Sequence, residues 1–256
     1  METNQFISQD KKQHLYIILS AFFLTNALIA EMIGTKLFSV EGTLGLPPAA
    51  ISLFEDFPLS FNMTAGVVLW PFVFIITDII NEYFGKEGVK KISYITSGLI
   101  SYAFFMIWIA IQLAPSTYWM EINNKDSVGN FFNVNYAFSA ILGQGLNIII
   151  ASLFAFLVGQ ILDAYLFEYI KGKTGDKYLW LRSTGSTFFS QLIDSFLVLF
   201  VAFYLLPAPE KKWSMALVLS VGIINYIYKV TMAVLLTPLI YMAHTLIDRY
   251  LGVKKA

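Results

Sequence analysis

Six long apolar runs divide the chain, at roughly 15–35, 64–82, 92–114, 136–161, 186–206 and 214–246. Each exceeds the ~18 residues a helix needs to cross the hydrocarbon core, so each predicts a transmembrane helix. The fourth and sixth are long enough to tilt or to extend past the bilayer as amphipathic helix. Pro71 predicts an interruption in the second, and Pro238 a kink in the sixth. The first run follows Lys11 and Lys12. It is longer than a signal-peptide core and lacks an A-x-A cleavage site, so it reads as an uncleaved helix. The pattern predicts an all-α polytopic membrane protein with about six transmembrane helices. It forms one domain over 1–256, with a cytoplasmic segment at 1–13 and a cytoplasmic tail at 248–256. Three helices per half would give the halves opposite topology, an inverted arrangement common in transporters. That idea rests on the count of helices alone. The connection 40–62, with Gly42, Gly45, Pro47, Pro48 and Pro58, reads as irregular.

Composition sharpens this picture. The 256 residues are 57% hydrophobic and 13% charged, with a mean hydropathy of +0.66. Soluble domains carry about 25% charged residues. The absence of cysteine excludes disulfides and thiolate metal sites. His14 and His244 alone give little material for a histidine metal centre or a Ser–His–Asp relay, and no metal or cofactor is expected. Lysine and arginine set the orientation. Lys11, Lys12, Lys86, Lys90, Lys91, Lys171, Lys173, Lys177, Arg182, Arg249, Lys254 and Lys255 fall on one side. Lys36, Lys125, Lys211 and Lys212 fall on the other, where Glu41, Glu55, Asp56, Glu121 and Asp126 also lie. Both termini are therefore expected in the cytoplasm. Asn62-Met63-Thr64 matches a glycosylation sequon, a short pattern of little weight.

Polar residues inside the apolar runs mark candidate chemistry, because a charge at mid-bilayer costs about 2.5–3.5 kcal/mol on insertion scales. Asp78, Asn81 and Glu82 share one helix face at i, i+3 and i+4. Glu82 and Lys86 are spaced for an ion pair at the helix end. Thr187, Gln191 and Asp194 form a second stripe, with Asp194 near mid-membrane and Ser190 and Ser195 beside it. Lys229 is the only deep cation, with Asn225 one turn before it, and is the natural partner of Asp194 or Asp78. Asn26, Glu31 and Lys36 mark the first span, and Lys36 is placed to snorkel outward. Gln144 and Asn147, flanked by Gly143 and Gly145, suit helix packing as well as a ligand. Gln160 and Asp163 read as interfacial. If these helices face one cavity, its two carboxylates, ammonium and amides suit a small, polar, hydrogen-bonding solute.

The string Thr77-Asp78-Ile79-Ile80-Asn81-Glu82-Tyr83-Phe84-Gly85-Lys86 is the most distinctive in the chain. It is followed by Gly185-Ser186-Thr187 and by Ser190-Gln191-Leu192-Ile193-Asp194-Ser195. Thr35-Lys36-Leu37-Phe38, Lys229 and Thr237-Pro238 complete the pattern over about 20–247. It resembles the queuosine precursor transporters, also called the vitamin uptake transporter family. The resemblance implies about six helices and import of a deazaguanine precursor of the tRNA nucleoside queuosine. Such a base would be cyano-deazaguanine, aminomethyl-deazaguanine or queuine, taken up through the cytoplasmic membrane of a bacterium. It further implies no enzymatic activity and no nucleic-acid partner. A guanine-like base presents adjacent N–H donors that a carboxylate accepts as a charge-assisted pair. Flat bases also stack on aromatic rings, and Trp70, Phe72 and Phe74 lie beside Asp78, as Phe188 and Phe189 lie beside Asp194. The expected substrate-binding residues are Asp78, Asn81, Glu82, Gln191, Asp194, Asn225, Lys229 and Trp70.

Two other readings stay open. Two membrane aspartates could share a proton and activate water, as in an aspartyl hydrolase, although neither Asp78 nor Asp194 lies in a G-x-G-D context. The chain could also be the substrate-binding subunit of an ATP-driven importer. It contains no G-x-x-x-x-G-K-[ST] loop, so ATP would need partner subunits. The partners expected are the base and the lipid bilayer, with a homodimer left open.

Overall fold

The structure is a computed structural model. It describes residues 2–34, 36–49, 60–143, 146–175 and 178–252; for residues 2–8, 146, 147 and 211 the backbone alone is described. Gln144, Glu55, Asp56 and Pro58 lie outside the described residues, as does the side chain of Asn147. Helix α1 spans Glu2–Ile33. Strand β1, Leu37–Ser39, pairs antiparallel with β2, Asn62–Thr64, in the register Leu37↔Thr64 and Ser39↔Asn62. Between them lies the short helix α2, Val40–Thr43. The connection expected to be irregular thus carries a small ribbon, and the sequon falls in β2. Glu41 accepts the Phe61 and Ala49 N–H groups and the Ser39 hydroxyl. Those backbone donors, Phe61 foremost, hold its carboxyl below the usual range.

Helix α3 runs Trp70–Gln112. The remaining helices are α4 Thr117–Ile122, α5 Val134–Leu142, α6 Leu146–Thr174, α7 Leu179–Leu199, α8 Met215–Leu235 and α9 Thr237–Leu251. A π-helical segment, Phe200–Leu205, continues α7. Among the described residues, five helices are long and apolar enough to cross a membrane. The boundaries differ from the sequence reading where backbone geometry intervenes. Pro71 does not interrupt a helix: it occupies the first turn of α3, where the missing N–H has no intrahelical partner to lose. Pro238 occupies the same position in α9, so the expected kinked sixth span is two helices. The fourth span begins after α5 and reaches Thr174.

Helix α3 has 43 residues. A straight helix of that length would reach ~64 Å, about twice the hydrocarbon core of ~30 Å. It breaks instead at Gly85, whose φ 70° and ψ 177° lie in a region only glycine adopts readily. Contacts with α6 show what the break does. Thr77 meets Gln160 and Asn81 meets the Ala164 carbonyl. Beyond Gly85, Lys86 meets Glu168 and Lys90 meets Tyr165. The α6 partners advance and then retreat, so the arm 86–112 runs back along the arm 70–84. The Lys86 N–H released at the break donates to Glu168 Oε1 at 2.7 Å.

Helix α6 packs between α3 and α7, α1 lies against α3, and α8 lies against α7. Phe23, Val73, Ile80, Val89, Ile100 and Phe167 fill the apolar core between α1, α3 and α6. Gly66 lets the segment before α3 close on α1: a Cβ there would stand 2.3 Å from the Ala30 carbonyl oxygen. At the opposite end, Tyr16 donates to the Gly88 carbonyl and Lys11 to the Tyr250 carbonyl. Helix α9 crosses beneath the bundle there, with Asp248 bonded to Tyr83 and Tyr241 to the Trp180 N–H. The first and last described helices therefore meet at one end, beside the basic residues Lys86, Lys90, Lys171 and Arg182.

The break at Gly85 carries a stability prediction. Gly85→Ala forces an alanine into that backbone region and is expected to lower stability by about 1–3 kcal/mol. Gly98 has open space around its Cβ position and an ordinary helical backbone, so Gly98→Ala should be neutral or slightly stabilising. Thermal unfolding of both variants in detergent checks this, and equal midpoints would refute the reversal at Gly85.

Candidate functional site

Helix α7 is built with a polar stripe. Ser183, Ser186, Thr187, Ser190 and Gln191 recur at helical spacing, and all are buried. That stripe faces α3 and α6 rather than lipid. Ser183 donates to Asp78 Oδ2 across the α3–α7 contact. Ser190 donates to Asp163 Oδ1 at 2.9 Å, and Ser186 donates to the Ser183 carbonyl at 3.0 Å. Thr77 donates to Gln160 Oε1 at 2.8 Å, and Asn81 Nδ2 to the Ala164 carbonyl at 3.0 Å. Asp78 and Asp163 are each 3% exposed. The result is a polar chamber walled by three helices inside an apolar bundle.

Arg182 closes the chamber at the basic end. Among the described residues it is the largest side chain to be fully buried, at 2% exposure. Its Nη2 lies 2.7 Å from Glu82 Oε1 and its Nη1 2.8 Å from the Gly175 carbonyl. The guanidinium also sits 5.7 Å from the Phe167 ring centre. Lys171 approaches the other oxygen of Glu82 at 3.0 Å. Glu82 therefore does not pair with Lys86 as its spacing suggested. The Gly85 break removes the i, i+4 relation, and Lys86 pairs with Glu168 at 3.2 Å. Beside this network opens a cleft of about 430 Å³ lined by Asn81, Glu82, Gly85, Glu168, Lys171, Gly172 and Gly175. Small-molecule sites typically occupy about 300–1,000 Å³.

The chamber holds unfilled hydrogen-bonding capacity. Asp78 Oδ1, Asn81 Oδ1 and Gln191 Oε1 are buried acceptors without a partner among the described residues. Arg182 Nε is a buried donor without one. A buried polar atom left unpaired costs about 1–3 kcal/mol. Several of them on facing helices are the mark of a place where a polar guest or water is held.

A second polar centre lies toward the opposite end. Lys229 of α8 pairs with Asp194 Oδ2, the partner its position suggested. A Cβ at Gly159 of α6 would meet the Asp194 side chain at 3.4 Å. Glu31 of α1 accepts from Ser152 of α6 at 3.0 Å and feels the charge of Asp194. The expected single cavity is thus two centres. Asp78, Asn81, Glu82 and Gln191 line the α3–α6–α7 interior, whereas Asp194 and Lys229 bridge α7 and α8. Asn225 is half-buried one turn from Lys229 and bonds none of the described residues. Trp70 starts α3, stacking on Phe74 at 6.1 Å and leaning on Phe156 at 5.7 Å. Phe188 and Phe189 are about half exposed, and Phe188 packs edge-on against Tyr226 of α8.

Gln160 and Asp163, read from the sequence as interfacial, lie inside the helix bundle. Both are buried, because α6 is the central helix and carries α3 on one side and α7 on the other. Sequence reasoning also missed Arg182 and Ser183. The signal was present in Arg182-Ser183-Thr184-Gly185-Ser186-Thr187, a cation opening a run of small polar residues. Arg182 precedes the apolar run 186–206 and so resembled a loop residue.

The buried Arg182–Glu82 pair predicts strong coupling. Arg182→Met should lower stability by about 3–5 kcal/mol, because it leaves a buried carboxylate short of its cation. Adding Glu82→Gln should restore part of that loss. Chemical unfolding of the two single variants and the double variant measures it, and simple additivity would show that the pair is not coupled.

The comparisons with known proteins follow this architecture. The chain is 26% identical to a probable queuosine precursor transporter of Haemophilus influenzae over 241 residues, covering 92% of this chain and 89% of the relative. It is 29% identical to a probable queuosine precursor transporter of Bacillus subtilis over 191 residues, covering 73% and 75% of the two chains. It is 26% identical to the queuosine precursor transporter of Escherichia coli over 181 residues, covering 69% and 70%. No solved structure matches the chain. Residues 64–243, which hold the chamber, Arg182 and the Asp194–Lys229 pair, match the family described as putative vitamin uptake transporter, and the chain belongs to that family.

Proposed function

We propose that the chain imports a queuosine precursor of the 7-deazaguanine type across the cytoplasmic membrane of a bacterium. In this reading both arms of α3 cross the bilayer, giving six crossings with both termini in the cytoplasm. The base is held in the α3–α6–α7 chamber, and its import needs recognition and passage but no bond-making. The observation that carries the reading is the set of unfilled acceptors, Asp78 Oδ1, Asn81 Oδ1 and Gln191 Oε1, beside one unfilled donor, Arg182 Nε. A deazaguanine offers the complement: several N–H donors and one ring carbonyl oxygen. A carboxylate accepting from two adjacent N–H groups gives the strongest of these contacts. The names of the relatives from three bacteria support this substrate class.

Roles follow from the geometry. Asp78 accepts from the base, Asn81 and Gln191 supply further acceptors, and Arg182 meets the carbonyl oxygen. Glu82 and Lys171 hold Arg182 in place. The cleft beside Gly85 connects the chamber to the basic end. Asp194, Lys229 and Asn225 form a polar step on the approach from the other end, where Trp70 offers a flat apolar face.

The test is calorimetry on purified protein with cyano-deazaguanine, aminomethyl-deazaguanine and queuine. Asp78→Asn replaces an acceptor oxygen with a donor and sets N–H against N–H, so at least one of the bases that wild type binds should lose about 1–3 kcal/mol. Gln191→Leu should lose a similar amount. A cyano-deazaguanine analogue without its exocyclic amine should bind wild type more weakly by about the same step. Wild-type affinity in Asp78→Asn, or no binding of any of the three bases, would overturn the assignment.

A further inference from the structure

Asp78 and Asp163 stand at one level of the chamber. The Thr77–Gln160 bond lies just outside them and the Asn81–Ala164 bond just inside, so two rungs of the α3–α6 contact bracket both aspartates. The two carboxyl groups are buried, and Asp78 feels the charge of Asp163. The groups facing them are Thr77, Asn81 and Glu82 from α3, Gln160 from α6, and Arg182, Ser183, Ser186, Thr187, Ser190 and Gln191 from α7. Arg182 is the one cation among these described residues, and its two Nη atoms are committed to Glu82 and the Gly175 carbonyl. Lys171 at the rim also spends its charge on Glu82, and Lys86 is matched by Glu168. Two positive charges, Arg182 and Lys171, thus stand against three carboxylates, Glu82, Asp78 and Asp163. One proton restores neutrality. Two ionised carboxylates at one level of an apolar bundle oppose each other's charge.

We propose that the Asp78–Asp163 pair carries one proton that crosses the membrane together with the base, with Asp163 holding it while Asp78 accepts the base. The inference rests on the assignment of the base to Asp78. An ionised Asp78 is what the N–H edge of the base requires. Asp163 takes the proton because the base's N–H edge holds Asp78 ionised, and the Ser190 hydroxyl beside Asp163 can turn from donating to accepting when that carboxyl is protonated. Base and proton then enter together with a net charge of +1 while the loaded site is neutral, and an inward proton gradient drives the base inward.

The experiment uses purified protein in lipid vesicles with the electrical potential clamped to zero and cyano-deazaguanine, which is uncharged, as substrate. With the interior one pH unit more alkaline, wild type should accumulate the base up to about tenfold, the ratio that one proton per base allows. Without a gradient it should exchange labelled for unlabelled base. Asp163→Asn keeps the shape and mimics the protonated form, so exchange should persist while accumulation falls to unity. If that variant does not fold, Ser190→Ala removes the hydroxyl bonded to Asp163 and should shift the pH midpoint of driven uptake without stopping exchange. Wild-type exchange without accumulation overturns the coupling and leaves the transport reading intact. Undiminished accumulation in Asp163→Asn, or an unchanged pH profile in Ser190→Ala, overturns the role of Asp163. Failure of wild type to exchange the base at all overturns the transport reading itself.

Discussion

A guanidinium buried inside an apolar bundle must be matched, and the Arg182–Glu82 pair is where this fold meets that requirement. Leaving either charge alone at such depth is far more costly than the pair together. The pair ties the first arm of α3 to the start of α7, and the Gly175 carbonyl ties both to the end of α6. Once those three helix ends are joined, the residues one turn deeper have little choice of neighbour. Asp78 faces Ser183, Asn81 faces the Ala164 carbonyl, and Asp163 faces Ser190. The reversal at Gly85 belongs to the same arrangement. It lets the chain leave the chamber immediately after Glu82, and Glu168 satisfies both the backbone N–H and the ammonium of Lys86.

The polar interior has two centres of different character. The α3–α6–α7 chamber is rich in hydroxyls and amides, and several of its acceptors are unfilled. The Asp194–Lys229 centre is a direct ion pair with the Glu31 carboxyl in electrostatic range. A paired charge has little to offer a neutral ligand, whereas an unfilled acceptor has a whole hydrogen bond to offer. That difference is why we propose recognition in the chamber, while the ion pair joins α7 to α8.

Much of this was legible in the sequence. Apolar runs are long-range statements about the solvent, so the all-helical membrane architecture followed from length and composition, whereas the joining of the second and third runs in α3 did not. The Asp78–Asn81–Glu82 face and the Lys229–Asp194 pairing followed from helical spacing and the cost of isolated charge. The parts that were not legible depend on which helix lies in the middle. Asp163 and Gln160 looked interfacial because depth was counted along one helix, and only the packing of α3 and α7 around α6 buries them. Glu82 and Lys86 looked like an ion pair because a continuous helix was assumed across Gly85. Arg182 looked like a loop cation because its counter-charge is 100 residues away in sequence.

The central claim is that the chamber, and not the ion-pair centre, reads the base. An experimental structure of the protein with cyano-deazaguanine bound tests it most directly. The account predicts the base between α3, α6 and α7, with its N–H edge at hydrogen-bond distance, about 2.7–3.1 Å, from Asp78. It also predicts the Arg182–Glu82 pair intact beside it. A base seated instead against Asp194 and Lys229, with Asp78 still bonded only to Ser183, would contradict it.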